Sequence, residues 1–174
     1  ERLLTRTGFG PVRGPGVQIV VDDSPSGVPT EVVRDTDLAQ LVDALWSVGA
    51  EGIAVNEQRL TVLSSIRNVG TAVHVNGVPL APPYVVEAIG NPDTMPADLA
   101  TSPRGAAFFG LADALTLVYS IRGQSELALP AAPLRPLRWA DETGAVENGA
   151  SGTDPAGDAD AGEQRVSAKE GGTS

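Results

Sequence analysis

The densest group of hydrogen-bonding side chains in this sequence of 174 residues is Asn56, Glu57, Gln58 and Arg59, followed by Ser64, Ser65 and Arg67. Donors and acceptors gathered at the end of a buried strand suit a groove for a small molecule or a peptide, with Asn56, Gln58, Arg59 and Arg67 as the contacts. The competing reading has Asn56 and Gln58 satisfying loop backbone groups while the arginines sit in water. His74 is the one histidine, and its register with Ala72 and Asn76 places it on a solvated sheet face. A general base or metal ligand needs companions, and neither a second histidine nor a cysteine supplies one. The serines lie in no nucleophile-elbow motif. Asp22, Asp23 and Ser24 offer oxygens to calcium or magnesium but lack the spacing of a calcium loop, so a turn that caps its own backbone accounts for them. The glycines of GFGPVRGPG run into a strand and not a helix, which excludes a phosphate-binding loop. No catalytic residue, metal ligand or cofactor is therefore expected. Trp46 reads as a partly buried core residue that would make a good interface anchor if exposed.

The elements that position these residues centre on 35–66. Leu38, Leu41, Val42 and Leu45 follow helical spacing and form one core-facing stripe. Asp35 or Asp37 caps the start of that helix, and Gly49 supplies the left-handed residue that ends it. Ile53, Ala54 and Val55 are too few for a helix and apolar on both faces, as in an interior strand. Upstream, the glycines and prolines of 1–13 predict an irregular lead-in, and residues 17–21 a first strand. Downstream, Asn76 and Gly77 predict a tight type I′ hairpin between strands near 71–75 and 78–80. Residues 84–89 form another strand. A second helical region begins at Thr94 and restarts at Ser102 before Pro103, with Phe108, Leu111, Ala112 and Leu115 on one face. A strand over 116–121, closed by Gly123, and a short piece at 126–129 follow. The order implies an α+β fold of the ferredoxin-like kind, with two helices packed on one face of a mostly antiparallel sheet.

Composition sets the boundaries. The 41% of hydrophobic residues suffices for one core, expected over 14–140. From Asp141 the chain holds Val146 and Val166 as its only large aliphatics and no aromatic residue, so 141–174 reads as a disordered acidic tail. That tail carries most of the net charge of −10. An acidic chain with scattered arginines and few aromatic residues has no attraction for phosphate backbones, which disfavours nucleic acid, nor for anionic lipid. No apolar run is long enough to span a bilayer.

Several stretches together resemble the bacterial domain-of-unknown-function 881 family. They are GPGVQIVVDDSP at 14–25, DLAQLVDALWSVGAEGIAVNEQRLT at 37–61, AVHVNGVPLAPPYVVEAIGNP at 72–92 and LPAAPL at 129–134. The resemblance implies an N-terminal membrane helix, a coiled-coil stalk and this domain outside the cytoplasm, in Gram-positive bacteria and actinobacteria, in some cases near cell-division genes. It transfers no catalytic residue. Glu57 stands where the family commonly has glycine. The resulting expectation is a non-enzymatic, extracytoplasmic interaction module of a single-pass membrane protein that engages a protein partner or itself and touches the membrane only through an upstream segment. The alternative is a small-molecule or peptide sensor using the polar groove.

Overall fold

The computed structural model describes residues 8–133; Leu3 and Leu4, the end of the expected domain and the acidic tail lie outside them. β1 (Val12–Asp22) begins earlier than the composition of the lead-in predicts. Gly14, Pro15 and Gly16 are part of this strand, with a register shift between the two glycines. A bulge tolerates proline because no ladder donor is required there. Gly16 is a steric requirement, since a Cβ there would stand 2.0 Å from the Ala88 carbonyl oxygen of the neighbouring strand.

α1 (Asp35–Ser47) is the predicted amphipathic helix, with Leu38, Leu41, Ala44 and Leu45 fully buried. Arg34 holds the cap position, and both aspartates bond around it. An Asp37 carboxylate oxygen accepts the Arg34 N–H at 2.9 Å. Asp35 Oδ1 accepts the first-turn Thr36 N–H at 2.9 Å, while its other oxygen takes the Asn68 N–H of a later strand at 3.0 Å. At the other end Gly49 has φ +92°, Ala50 N–H donates to the Leu45 carbonyl and Gly49 N–H to that of Trp46, which together form a Schellman stop.

The chain continues through β2 (Gly52–Val55), β3 (Gln58–Arg59), β4 (Ile66–Val69), β5 (Ala72–Val75), β6 (Val78–Leu80) and β7 (Tyr84–Ile89). α2 (Met95–Thr101), α3 (Pro103–Ala114) and β8 (Val118–Leu129) complete the described residues. Ser102 caps α3 as expected, its hydroxyl accepting the Gly105 N–H at 3.0 Å. Gly105 lies where the two helices meet, and a Cβ would collide with the Leu99 carbonyl. Phe108 and Ala112 are buried, whereas Leu111 and Leu115 of the predicted face are only half-buried.

The fold is a mixed α/β arrangement of three helices and two antiparallel sheets. The larger sheet has the order β3-β2-β7-β1-β8, with Val17, Ile19, Val21, Val55 and Val86 turned into a core shared with α1, Leu99 and Phe108. The Asn76–Gly77 hairpin is present, with φ +55° and +81° and Val75 opposite Val78. It belongs to a separate sheet, β4-β5-β6, and not to the single sheet that the sequence predicts. β7, the strand that follows the hairpin, is already paired with β2 on one side and β1 on the other, so it offers the hairpin no edge of its own. Val73 and Val75 nonetheless join the common core. β8 is one twelve-residue strand, where the sequence suggests two pieces. Gly123 does not end it; it pairs with Val17 inside the ladder.

Candidate functional site

The polar exit of β2 folds into a two-residue turn. Asn56 and Glu57 have φ +44° and +64°, and Val55 pairs with Gln58 across them. Asn56 exchanges two hydrogen bonds with Val85, accepting its N–H at 2.6 Å through Oδ1 and donating its own N–H to the carbonyl at 2.9 Å. Arg59 does not sit in water; it is buried at the wall of a hollow, with its guanidinium turned to backbone. It is 2% exposed, and Nη1 donates to the carbonyl oxygens of Gly10 at 3.1 Å and Pro130 at 3.2 Å. Burial pushes its guanidinium below the usual arginine range. Gly52 leaves the room it needs, since a Cβ there would stand 3.0 Å from Nη2. Arg59 thus clasps the segments where the chain enters and leaves the fold, beside a hydrogen bond from Ala132 N–H to the Gly8 carbonyl at 2.9 Å. Gln58 is half-buried on β3, and Arg67 is exposed on β4 of the other sheet, opposite a half-buried His74. The four candidate contacts are therefore divided between two sheets, and two of them are engaged with backbone.

Between β3 and β4 the chain makes a braced turn that sequence reasoning missed. Ser64 Oγ accepts the Thr61 N–H at 2.8 Å, Thr61 Oγ1 accepts the Leu63 N–H at 3.1 Å, and Ser64 N–H reaches the Thr61 carbonyl at 3.0 Å. This turn holds Val62 at 93% and Leu63 at 76% exposure. Trp46, expected to be partly buried, is 42% exposed and lines both of two hollows. One, of about 240 Å³, includes Val42, Asp43 and Ser64 in its wall; the other, of about 340 Å³, includes Gly8, Glu51, Arg59 and Val62. The available signal was a pair of aliphatics bracketed by hydroxyl residues, Thr-Val-Leu-Ser-Ser.

A second polar cluster fastens the loop after β1. Asp22 Oδ1 accepts the Asp23 N–H and Asp23 Oδ1 the Val33 N–H, both at 2.8 Å, so this turn caps backbone as expected. Ser24 Oγ stands 2.6 Å from Thr116 Oγ1 and 3.2 Å from Glu31 Oε2, and Ser26 Oγ donates to the same carboxylate. Hydrogen bonding, that from Ser26 first, lowers the Glu31 pKa against a smaller opposing effect of burial. Among the described residues no group of three or more His, Cys, Asp or Glu side chains is placed to hold a metal ion.

The third feature is β8 itself. It is the outermost strand beside β1, and no further strand pairs with it among the described residues. Val118, Ser120 and Arg122 are exposed along it.

Residues 1–141 match the model of a family described as bacterial protein of unknown function (DUF881). The chain is 37% identical over 100 residues to UPF0749 protein YlxW of Bacillus subtilis (strain 168), covering 55% of this chain and 43% of that protein. It is 30% identical over 165 residues to UPF0749 protein Rv1823 of Mycobacterium tuberculosis (strain ATCC 25618 / H37Rv), covering 83% of this chain and 53% of that protein. The chain therefore spans about half the length of these relatives. An uncharacterized conserved protein from Mycobacterium tuberculosis, known from its crystal structure, superposes with a TM-score of 0.66 at 22% identity, over 79% of this chain and 94% of that one, and so shares the fold.

Proposed function

Since the chain belongs to the bacterial family of unknown function DUF881, we propose that it is a non-enzymatic interaction module held outside the cytoplasm by a membrane segment in the part of the longer protein that it does not span. Its partner is a protein or a second copy of itself. The anchored, extracytoplasmic placement follows the build that the family resemblance implies. The observation that carries the reading is β8, a twelve-residue strand on the rim of a five-stranded sheet. An edge strand turns a row of N–H and C=O groups outward, the template that strand addition uses. The guanidinium of Arg59, the carboxamide of Asn56 and the carboxylate of Glu31 are tied to loops and backbone.

The strand order β2-β7-β1-β8, with α1 between β1 and β2 and the pair α2 and α3 between β7 and β8, supports the finer assignment to the ferredoxin-like kind. On that assignment the small sheet is an insertion between the second and third core strands.

Photo-crosslinking residues placed singly at Ser120 and Arg122 on β8, and at exposed Ala97 on α2 as a control, test the interaction reading in cells that make the protein. A defined protein adduct from both β8 positions and none from Ala97 is expected. Absence of any adduct from β8, or equal adducts from all three, contradicts it.

Ligand sensing is the second reading, favoured by the hollow beside Trp46 that Arg59 helps to line. It requires that a metabolite or cell-wall fragment raise the melting temperature, and that Trp46→Ala abolish the rise.

A further inference from the structure

Residues 60–66, Leu-Thr-Val-Leu-Ser-Ser-Ile, carry no charge, and their most exposed members are the two consecutive aliphatics at the tip. Val62 at 93% exposure has almost no protein behind it, so the feature is a projection and not a groove. The Thr61 and Ser64 hydrogen bonds already hold the turn, so presenting Val62 and Leu63 together requires little further ordering. Trp46 lies beside the tip, and an indole with one apolar and one polar side suits the interfacial layer of a bilayer. We infer that this tip seats Val62 and Leu63 in the surface of a bilayer with Trp46 at headgroup level, a second and weaker membrane contact beyond the upstream anchor proposed above, on whose placement the inference rests.

Charge selects the bilayer over a second copy and sets the kind of lipid. The chain carries −10, most of it in 141–174, and the hollows beside the tip are lined by Asp43, paired with Arg104 at 3.7 Å, and by Glu51 together with the buried Arg59, so no basic side chain is left at the tip to draw an anionic surface. Like charge opposes approach of another copy through this tip, as distinct from the β8 edge, and of an anionic leaflet, so neutral headgroups are favoured, and anionic ones weaken contact most at low salt. Magnitude sets when contact occurs. The two side chains together hold about half the carbons of a myristoyl chain, which by itself binds membranes only marginally. The tip therefore engages only a chain already held at the membrane, where tethering raises its effective concentration.

The sequence has no cysteine, so Glu1→Cys gives one coupling point to a maleimide lipid in phosphatidylcholine vesicles. Trp139→Phe in the full chain leaves Trp46 as the only indole. Tethered chain should show Trp46 emission at shorter wavelength, quenched when the acyl chains carry bromine, whereas untethered chain mixed with the same vesicles should show neither. Val62→Ser with Leu63→Ser should remove the quenching without changing the melting temperature. Tethered chain without quenching, equal quenching in the double-serine variant, or concentration-dependent burial of Trp46 without vesicles would each overturn the inference. β8 adducts together with an unquenched Trp46 remove the membrane tip alone; loss of the β8 adducts removes the interaction reading, whatever Trp46 does.

Discussion

Single residues divide here into those whose role is local and those whose role is set far along the chain. Asn56 was read from its neighbourhood as a groove contact or a backbone partner, and it is found bonded to the backbone of Val85. Arg59 was not legible in that way. Its acceptors, the carbonyls of Gly10 and Pro130, lie 49 and 71 residues away, and no local pattern announces a buried guanidinium whose space is left by Gly52. Replacing it should be costly, because the buried Gly10 carbonyl and the part-buried bond to Pro130 lose a charged donor. Arg59→Met is expected to lower stability by ~1–3 kcal/mol in urea titrations, whereas exposed Arg67→Met should change it by less than ~0.5 kcal/mol. Glu57 offers the opposite case. Held at φ +64°, it occupies a conformation that costs a side-chain-bearing residue ~1–2 kcal/mol. Glycine relieves that cost but adds ~0.5–1 kcal/mol of chain entropy, so Glu57→Gly should stabilise by ~0.5–1 kcal/mol in the same titration.

Among the elements, α1 was the most legible because helical spacing, two acidic residues at its start and a terminal glycine all agreed, and each is found in use. Leu45→Ala should cost ~2–5 kcal/mol, since the side chain is fully buried between the helix and the sheet. β1 and β8 were read too short for one reason. Gly14, Pro15 and Gly123 look like breakers locally, yet a bulge accommodates the first two, and the third pairs with Val17 in the ladder where a side chain would meet the Pro92 carbonyl. The loop between β1 and α1 carries a pH signature. The Glu31 pKa is lowered from its ordinary value of 4.5, so the folded state favours the ionised form through Ser26, Ser24 and Thr116. Its contribution is present above that value and is lost as pH falls through the lower folded-state value. The melting-temperature difference between the natural chain and Glu31→Gln should therefore be constant near neutrality and shrink below pH 4.5. A difference that persists unchanged at pH 3, about 1.5 units lower, would show that the carboxylate charge is not what fastens the loop.

At the scale of the whole molecule, the helices, the hairpin and the antiparallel pairing were readable, but the separation into two sheets was not. Strand patterns state which face is buried and say nothing of which neighbour completes the ladder; here the long-range pairing of β2 with β7 displaces the hairpin. The surface was less legible still. Trp46 reads in sequence as partly buried, and nothing in the sequence marks the Val62–Leu63 pair as exposed, because apolar residues at a braced turn and at the edge of a helix stripe carry no mark of exposure. The domain that results uses Arg59, Asn56 and Glu31 to hold loops and, among the described residues, presents an unpaired strand edge at β8. The measurement that bears most directly on this account is amide hydrogen exchange along β8 in the free chain and in the chain bound to the partner recovered by crosslinking. Slowed exchange at alternate β8 amides, those turned away from β1, with the helices unchanged, is the predicted result. Unchanged exchange along β8, with protection appearing on another face, would contradict it.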